Sequence, residues 1–190
     1  MPAGSRTVVL LEGDSDVAAV RTLAGVGGRS LERVELVSLG GVTNVRRAML
    51  AARTDAPGAQ VLGLCDAGEV RFVERALREL GLAVRDAGDL PAYGFFVCHR
   101  DLEEELIRAL GPRRTVAVIE RVGLGPRLAA LQQQPAWADR PLEHQLHRFC
   151  GVASGRKERL AAELAGALSG REAPEPIALL LDRIAAASRG

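Results

Sequence analysis

Acidic residues follow apolar stretches at several points in the first two thirds of the chain. Glu12 directly follows the run TVVLL, Asp66 directly follows VLGLC, and the acids of DLEEEL (101–106) come soon after YGFFVC. Carboxylates that are brought together repel one another and raise each other's pKa, unless a hard cation such as Mg2+ or Mn2+ neutralises them. If the apolar runs end at one edge of a sheet, this pattern predicts a metal site.

The alternative is that these acids only cap the helices that follow them. An acid at the start of a helix accepts backbone hydrogen bonds and stabilises the positive end of the helix dipole. Capping is a sufficient explanation for Asp14 or Asp101 taken singly. It does not explain why Glu12 directly follows an apolar run.

Strands and helices alternate in the part of the chain that carries these acids. Short apolar runs predict buried strands at 7–11, 33–39, 61–65 and 93–98. Between and after them we expect a helix with Ser15 as N-cap that ends at Gly25 or Gly27-Gly28, and helices at 43–53, 69–80 and within 101–111. Successive strand-to-helix units imply a parallel sheet and an α/β fold, in which the residues just past the strand ends converge in one crevice.

The remainder of the chain has a different pattern, with helices only. These are expected at about 113–122, 125–132, 141–150, 156–168 and 176–188. Five short helices alone would make a thin core. We therefore interpret 1–112 as an α/β domain and 113–190 as a helical extension that completes the same domain.

Charge is distributed unevenly along the 190 residues, although the net charge is only +1. Residues 1–112 carry 13 Arg against 16 Asp or Glu, whereas residues 113–190 carry 12 Lys or Arg against 8 acids. Lys157 is the one lysine among 25 basic residues. A lysine kept in so arginine-rich a chain is a candidate for a role that needs a compact ammonium group.

The lack of a recognisable targeting signal and the pattern of cysteines predict a cytoplasmic location. No apolar run approaches the roughly 18 residues that a membrane span needs, and the start MPAGSR lacks the pattern of a secretory signal. We therefore expect no membrane partner. Cys65, Cys98 and Cys150 are odd in number and widely spaced, which predicts buried thiols and not a disulfide framework or a zinc pair.

The order of these motifs resembles that of TOPRIM domains. VVLLEGDSDVAAV (8–20) is similar to their first motif, a strand that ends in Glu-Gly and is followed by Ser-Asp and a helix, and VLGLCDAGE (61–69) stands where they place an Asp-x-Asp motif. Together with SLGGVTNV, DLEEELI and the late GRKERLAAELA, the order is most similar to the TOPRIM half of the overcoming-lysogenisation-defect (OLD) family of ATP-dependent nucleases. The resemblance covers about 7–168.

The resemblance implies a divalent-metal-dependent DNA nuclease that hydrolyses phosphodiester bonds. In this interpretation Glu12, Asp16 and Asp66 bind one or two Mg2+ or Mn2+ ions, and Glu103 assists them. Glu12 would also act as general base or acid. Lys157 would stabilise charge on the phosphate. Arg156, Lys157 and Arg159 would contact nucleic acid.

Two departures from the family pattern leave alternatives open. Gly68 replaces the second acid of Asp-x-Asp, and Glu69, the next residue, is expected to point about 100° away from the position of that missing acid, as successive residues of a helix do. The chain also has no GxxxxGK[ST] phosphate loop. The chain would therefore need a separate ATPase subunit, or it works without ATP. The expected partners are DNA, such an ATPase subunit and a second copy of the chain. The alternative function is a catalytically weakened TOPRIM module that binds nucleic acid or such an ATPase without cutting.

Other residues give weaker signals. A small-molecule phosphotransfer or nucleotide-binding protein is disfavoured because no GxGxxG follows the first strand, although GVGG and Gly40-Gly41 are glycine-rich. His99 leaves the fourth strand near the crevice, and His144 and His147 are three apart on a predicted helix, so each is either a metal ligand or an ordinary surface group. Ser154 is a candidate N-cap for the helix that carries Lys157.

Overall fold

Four parallel strands form the centre of the molecule. The computed structural model describes residues 6–152 and 156–188. The sheet has the order β2-β1-β3-β4, with β1 at Thr7–Leu11, β2 at Val34–Ser38, β3 at Gln60–Asp66 and β4 at Phe95–Cys98. Every strand pair is parallel, so the predicted α/β fold is confirmed.

Helices connect the strands and then continue without further strands in the described part of the chain. Their bounds are α1 Asp14–Val26, α2 Val45–Asp55, α3 Val70–Glu79, α4 Leu102–Leu110, α5 Pro112–Arg121, α6 Gly125–Gln132, α7 Leu142–Gly151, α8 Lys157–Gly166 and α9 Glu175–Ala187. Short 3-10 helices lie at Val42–Asn44, Ala67–Glu69 and Ala87–Tyr93. The helical second half is thus observed where the sequence predicts it, while the division of the chain after residue 112 stays a prediction.

Two element boundaries differ from the sequence prediction. Ser15 is not the N-cap of α1, because the helix begins at Asp14 with Gly13 as N-cap, and the Asp16 carboxylate accepts the Gly13 N–H at 3.2 Å. The fourth strand begins later than expected because a 3-10 helix precedes it. Gly94 joins the two at φ +85, and a Cβ atom there would lie 2.6 Å from Leu62, so only glycine allows this turn.

The sheet separates two hydrophobic cores. Alternate side chains of β1 point to opposite faces, as in any strand, and all five of its residues are buried. Val9 and Leu11 belong to a core shared with α1 and α4–α9, whereas Val8 and Leu10 belong to a core shared with α2 and α3. Helix α8 packs on α1, and α9 packs on β3 and β4. The late helices therefore cover one face of the sheet and fix where Lys157 begins α8.

The three cysteines are free and buried, as the sequence predicts. Burial raises the pKa of the Cys65 and Cys150 thiols to about 12, so both stay protonated near neutral pH. Within 6–152 and 156–188, no helix has both the length and the apolar character that a membrane crossing requires.

Candidate metal centre and its surroundings

The carboxyl ends of the two central strands place acids side by side. Glu12 follows β1 and Asp66 ends β3, and these two strands are paired in the sheet. The carboxylate oxygens of Glu12, Asp66 and Glu69 lie within 4.8 Å of one another. The main chain of Glu12 also contacts the segment that follows β2, because the Glu12 carbonyl accepts the Gly41 N–H at 3.0 Å.

The expectation that Glu69 points away from the position of the missing acid does not keep it out of the site, because its carboxylate reaches those of Glu12 and Asp66. Asp66 is the N-cap of the 3-10 helix Ala67–Glu69, and Glu69 is its last residue. Residues three apart lie on the same face of a helical turn. A carboxylate from the position after Gly68 therefore lies beside Asp66.

Asp16 and Glu103 extend this group of acids. Asp16 is buried in the first turn of α1 and also accepts the Ser15 hydroxyl at 3.3 Å. Glu103 is buried in the first turn of α4, and its Oε1 lies 3.3 Å from Lys157 Nζ. Glu103 and Glu12 both raise the pKa of Asp16. We call Glu12, Asp16, Asp66, Glu69 and Glu103 the acidic cluster.

Burial and mutual repulsion raise the pKa values within the acidic cluster. Desolvation is the main cause, and neighbouring carboxylates add to it. Together they raise the pKa of Asp16 to about 6, of Asp66 to about 8 and of Glu69 to about 7. Burial also raises the pKa of Glu103, although Lys157 opposes the shift. The cluster therefore retains protons at neutral pH that a cation would displace.

The donor set of the cluster fits a divalent cation. Among the described residues, the buried Glu69 Oε2 accepts no hydrogen bond, and the buried Glu103 Oε1 is held by the ion pair with Lys157 alone. Buried polar oxygens normally have a partner, so such atoms call for an explanation such as an ion. Carboxylate oxygens are the ligands that Mg2+ and Mn2+ prefer.

Lys157 is the cation that faces the cluster. It begins α8 and is half-buried. Burial alone would lower its pKa, but attraction to Glu103 and to the more distant Asp16 outweighs this, and the pKa is raised. The side chain is therefore a charged ammonium group at the edge of the acids.

Two other acids at the start of α4, Asp101 and Glu105, are partnered and do not join the cluster. Asp101 is the N-cap of α4, where its Oδ1 accepts the Glu104 N–H at 2.9 Å and its Oδ2 lies 2.6 Å from His147 Nε2. Glu105 accepts the His99 N–H at 2.7 Å and pairs with Arg108. For Asp101 the capping interpretation is therefore correct. We call Asp101 and Glu105 the α4 acids.

A cleft of about 430 Å3 opens beside the acidic cluster. Asp66, Glu103 and Lys157 line one side of it, and Trp137 and Arg148 line another, with the guanidinium 5.8 Å from the ring centroid. His147 stands between this cleft and a second cavity of about 720 Å3, which His99 and His144 also line. Among the described residues, the histidines do not take part in any group of ligand atoms close enough to hold a metal.

Arg156 and Arg159 lie apart from the acidic cleft. They line a separate cavity of about 280 Å3, together with Arg127. Of the three residues expected to contact nucleic acid, Lys157 alone lines the cleft. Sequence reasoning missed Arg127 and Trp137, since neither stands in a motif. Ser154 lies outside the described residues.

Solved structures of high similarity are C-terminal regions of OLD proteins. One, from Xanthomonas campestris pv. campestris, superimposes with a TM-score of 0.72 and is 29% identical, over 97% of this chain and 94% of that one. This chain has the fold of an OLD C-terminal region. The corresponding region of the Burkholderia pseudomallei OLD protein has a TM-score of 0.68 at 24% identity, over 97% and 98% of the two chains, and supports the fold alone.

The likeness to the OLD C-terminal region confirms the resemblance drawn from the sequence motifs. No family model and no curated protein matches the sequence. The structural likeness covers nearly the whole chain, including the helices after residue 112. The chain thus has a TOPRIM-like architecture.

Proposed function

We propose that this OLD-type module is a Mg2+- or Mn2+-dependent nuclease that hydrolyses phosphodiester bonds in DNA. The observation that carries the proposal is the acidic cluster with Lys157 at its edge. Its carboxylates come from the ends of β1 and β3 and the starts of α1 and α4. Burying these carboxylates next to one another lowers the free energy of unfolding. Binding of a cation would offset this loss.

The chain's own residues have separate roles in this proposal. Glu12, Asp66 and Glu69 would hold the ion, with Asp16 and Glu103 beside them. A bound divalent cation neutralises charge on the phosphate and lowers the pKa of water. Lys157 would bind a phosphate oxygen that gains charge in the transition state.

Glu12 is the residue we assign to proton transfer. It is half-buried, and its carboxylate lies beside that of Glu69. A carboxylate beside a bound cation can accept a proton from the attacking water or return one to the leaving oxygen. Glu12 would therefore serve as general base or acid.

Gly68 favours a second candidate function. If Glu69 does not replace the missing acid during the reaction, the module binds nucleic acid or a separate ATPase without cutting. ATP would then act on a partner, because the sequence given has no phosphate loop.

Cleavage of supercoiled plasmid in Mn2+ or Mg2+ tests the proposal. We expect nicked or linear product from the wild type and none from Glu12→Gln or Lys157→Ala. Asp14→Asn is the matched control, because Asp14 is an exposed acid in the same helical turn as Asp16. Lys157→Arg tests whether a compact ammonium is needed.

The possible outcomes separate the two functions. Activity that the wild type and Asp14→Asn show and that Glu12→Gln and Lys157→Ala both lose supports the nuclease. A folded wild type that binds Mn2+ by calorimetry but never cuts overturns it in favour of the binding module. Equal activity in Glu12→Gln and the wild type would show that the acidic cluster is not the active site.

A further inference from the structure

Three arginines without acidic partners line one cavity on the side of α8 away from the acidic cluster. Arg156 is the N-cap of α8, Arg159 lies in its first turn, and Arg127 comes from α6. The turn from Val122 to Leu124 forms the rest of the wall. We call Arg127, Arg156 and Arg159 the arginine pocket.

No described carboxylate forms an ion pair with the guanidinium groups of this pocket, and all three line the same cavity. The acid nearest along α8, Glu163, pairs with Arg121 at 3.3 Å. Many other arginines are paired in the described residues, namely Arg6, Arg29, Arg46, Arg75, Arg78, Arg85, Arg108 and Arg114. Like charges gathered without a counterion destabilise the fold, so this pocket calls for an anion.

Arg156 supplies a second and independent observation. Its guanidinium lies 5.7 Å from the Phe149 ring centroid, which holds it in place. Its Nη1 atom is buried and has no hydrogen-bond acceptor among the described residues. A buried guanidinium nitrogen without an acceptor is costly, and an anion in the pocket would satisfy it.

The start of α8 connects this pocket to the acidic cleft. Lys157 lies between Arg156 and Arg159 in sequence but faces Glu103 on the cleft side. Adjacent helical residues point about 100° apart, so one turn directs an ammonium to the cleft and two guanidinium groups to the pocket. The exposed N–H groups of the same turn add partial positive charge.

We propose that the arginine pocket binds a backbone phosphate of the DNA strand whose scissile phosphate lies at the acidic cluster. This inference rests on the proposed function and extends it, because it assigns Arg127 and defines a path for the strand around the start of α8. Guanidinium groups bind phosphate oxygens through paired hydrogen bonds. Contacts to the backbone position the strand and carry no sequence preference.

Binding of a labelled DNA duplex, measured by fluorescence anisotropy in Ca2+ across a series of salt concentrations, tests the inference. We expect Arg127→Gln and Arg159→Gln each to weaken binding about 3- to 10-fold, and to reduce the slope of log K against log salt by about 1. Arg47→Gln is the matched control, since Arg47 is an exposed arginine on α2, across the sheet. It should leave the affinity and the slope unchanged.

The outcomes test phosphate binding by the arginine pocket independently of the proposed nuclease activity. If the Arg127→Gln and Arg47→Gln proteins bind DNA alike, the pocket inference is overturned even where plasmid cleavage succeeds. If Arg127→Gln loses DNA affinity while the wild type never cuts DNA, the pocket inference is supported and the nuclease proposal is overturned. If Arg127→Gln loses calorimetric binding of inorganic pyrophosphate but keeps DNA affinity, the pocket takes a free phosphate and the strand assignment is overturned.

Discussion

The acidic cluster and the α4 acids occupy the same edge of the sheet but differ in what surrounds them. Asp101 and Glu105 each accept a backbone N–H, and each has a cationic or ionisable partner. Asp66 and Glu69 mainly face other carboxylates, and their pKa values are raised. Carboxylates with hydrogen-bond and cationic partners therefore stabilise the fold. Carboxylates that face one another form a candidate binding site for a cation.

Asp66→Asn should produce the largest change. Loss of a charged ligand at the centre of the acidic cluster should lower plasmid cleavage about 100-fold or more. The comparable change in a partnered acid, Glu105→Gln, should leave cleavage within a few-fold of wild type in protein that remains folded. Rates measured at equal folded concentration decide this, and equal losses in both variants would contradict the distinction.

Gly68→Asp should strengthen the cluster. The position has open space, since a Cβ atom there meets no atom within 4 Å. An added carboxylate should tighten Mn2+ binding by about 10-fold, because affinity grows with the number of charged ligands. Calorimetric titration measures this, with Gly68→Asn as the uncharged control. If Asn has the same effect as Asp, charge is not the cause.

The metal-free protein should become less stable as the pH rises. The folded-state pKa values of Asp16, Asp66 and Glu69 lie at about 6, 8 and 7, above those of the unfolded chain at about 4. The folded state therefore binds more protons than the unfolded state between about pH 4 and pH 8, and the free energy of unfolding falls across this window. We expect the Tm in EDTA to drop by about 3 °C or more from pH 5 to pH 8.

Two comparisons sharpen that measurement. Saturating Mn2+ should reverse most of the drop, because the ion binds the folded state alone. Asp66→Asn should show a smaller drop than wild type in EDTA. A Tm that rises with pH in metal-free wild type would contradict the raised pKa values.

Asp101→Ala should have the smallest effect, and the opposite sign to Asp66→Asn. Removing the N-cap of α4 and the His147 contact should lower the free energy of unfolding by about 1 to 2 kcal/mol. Asp66→Asn should instead stabilise the metal-free protein at pH 8. Chemical denaturation of both variants in EDTA makes the comparison, and two changes of the same sign would refute it.

Much of the fold could be predicted from the sequence because hydrophobic periodicity and glycine stops are local signals. The strands of TVVLL and VLGLC and the late helices lie within a few residues of their predicted positions. The start of α1 was predicted less well, since the cap is made by Asp16 from inside the helix. The 3-10 helix Ala87–Tyr93 has no periodicity that would have revealed it.

The candidate site was predictable only in part. Glu12 and Asp66 could be brought together because parallel strands end at one edge. Glu69 was missed because it was compared with the position of Gly68, although it stands three residues after Asp66 and residues three apart share a face of a helical turn. Arg127 could not be predicted, since it meets Arg156 and Arg159 through the packing of helices that are distant in sequence.

The packing of α9 on β3 and β4 has a consequence for synthesis of the chain. The strands that carry Glu12 and Asp66 leave the ribosome early, while Lys157 and then Glu175–Ala187 follow much later. Until α9 arrives, apolar side chains such as Leu62 and Phe96 have an incomplete cover. A sheet that forms before α9 is synthesised would therefore expose one apolar face, and α9 completes the cover of that face.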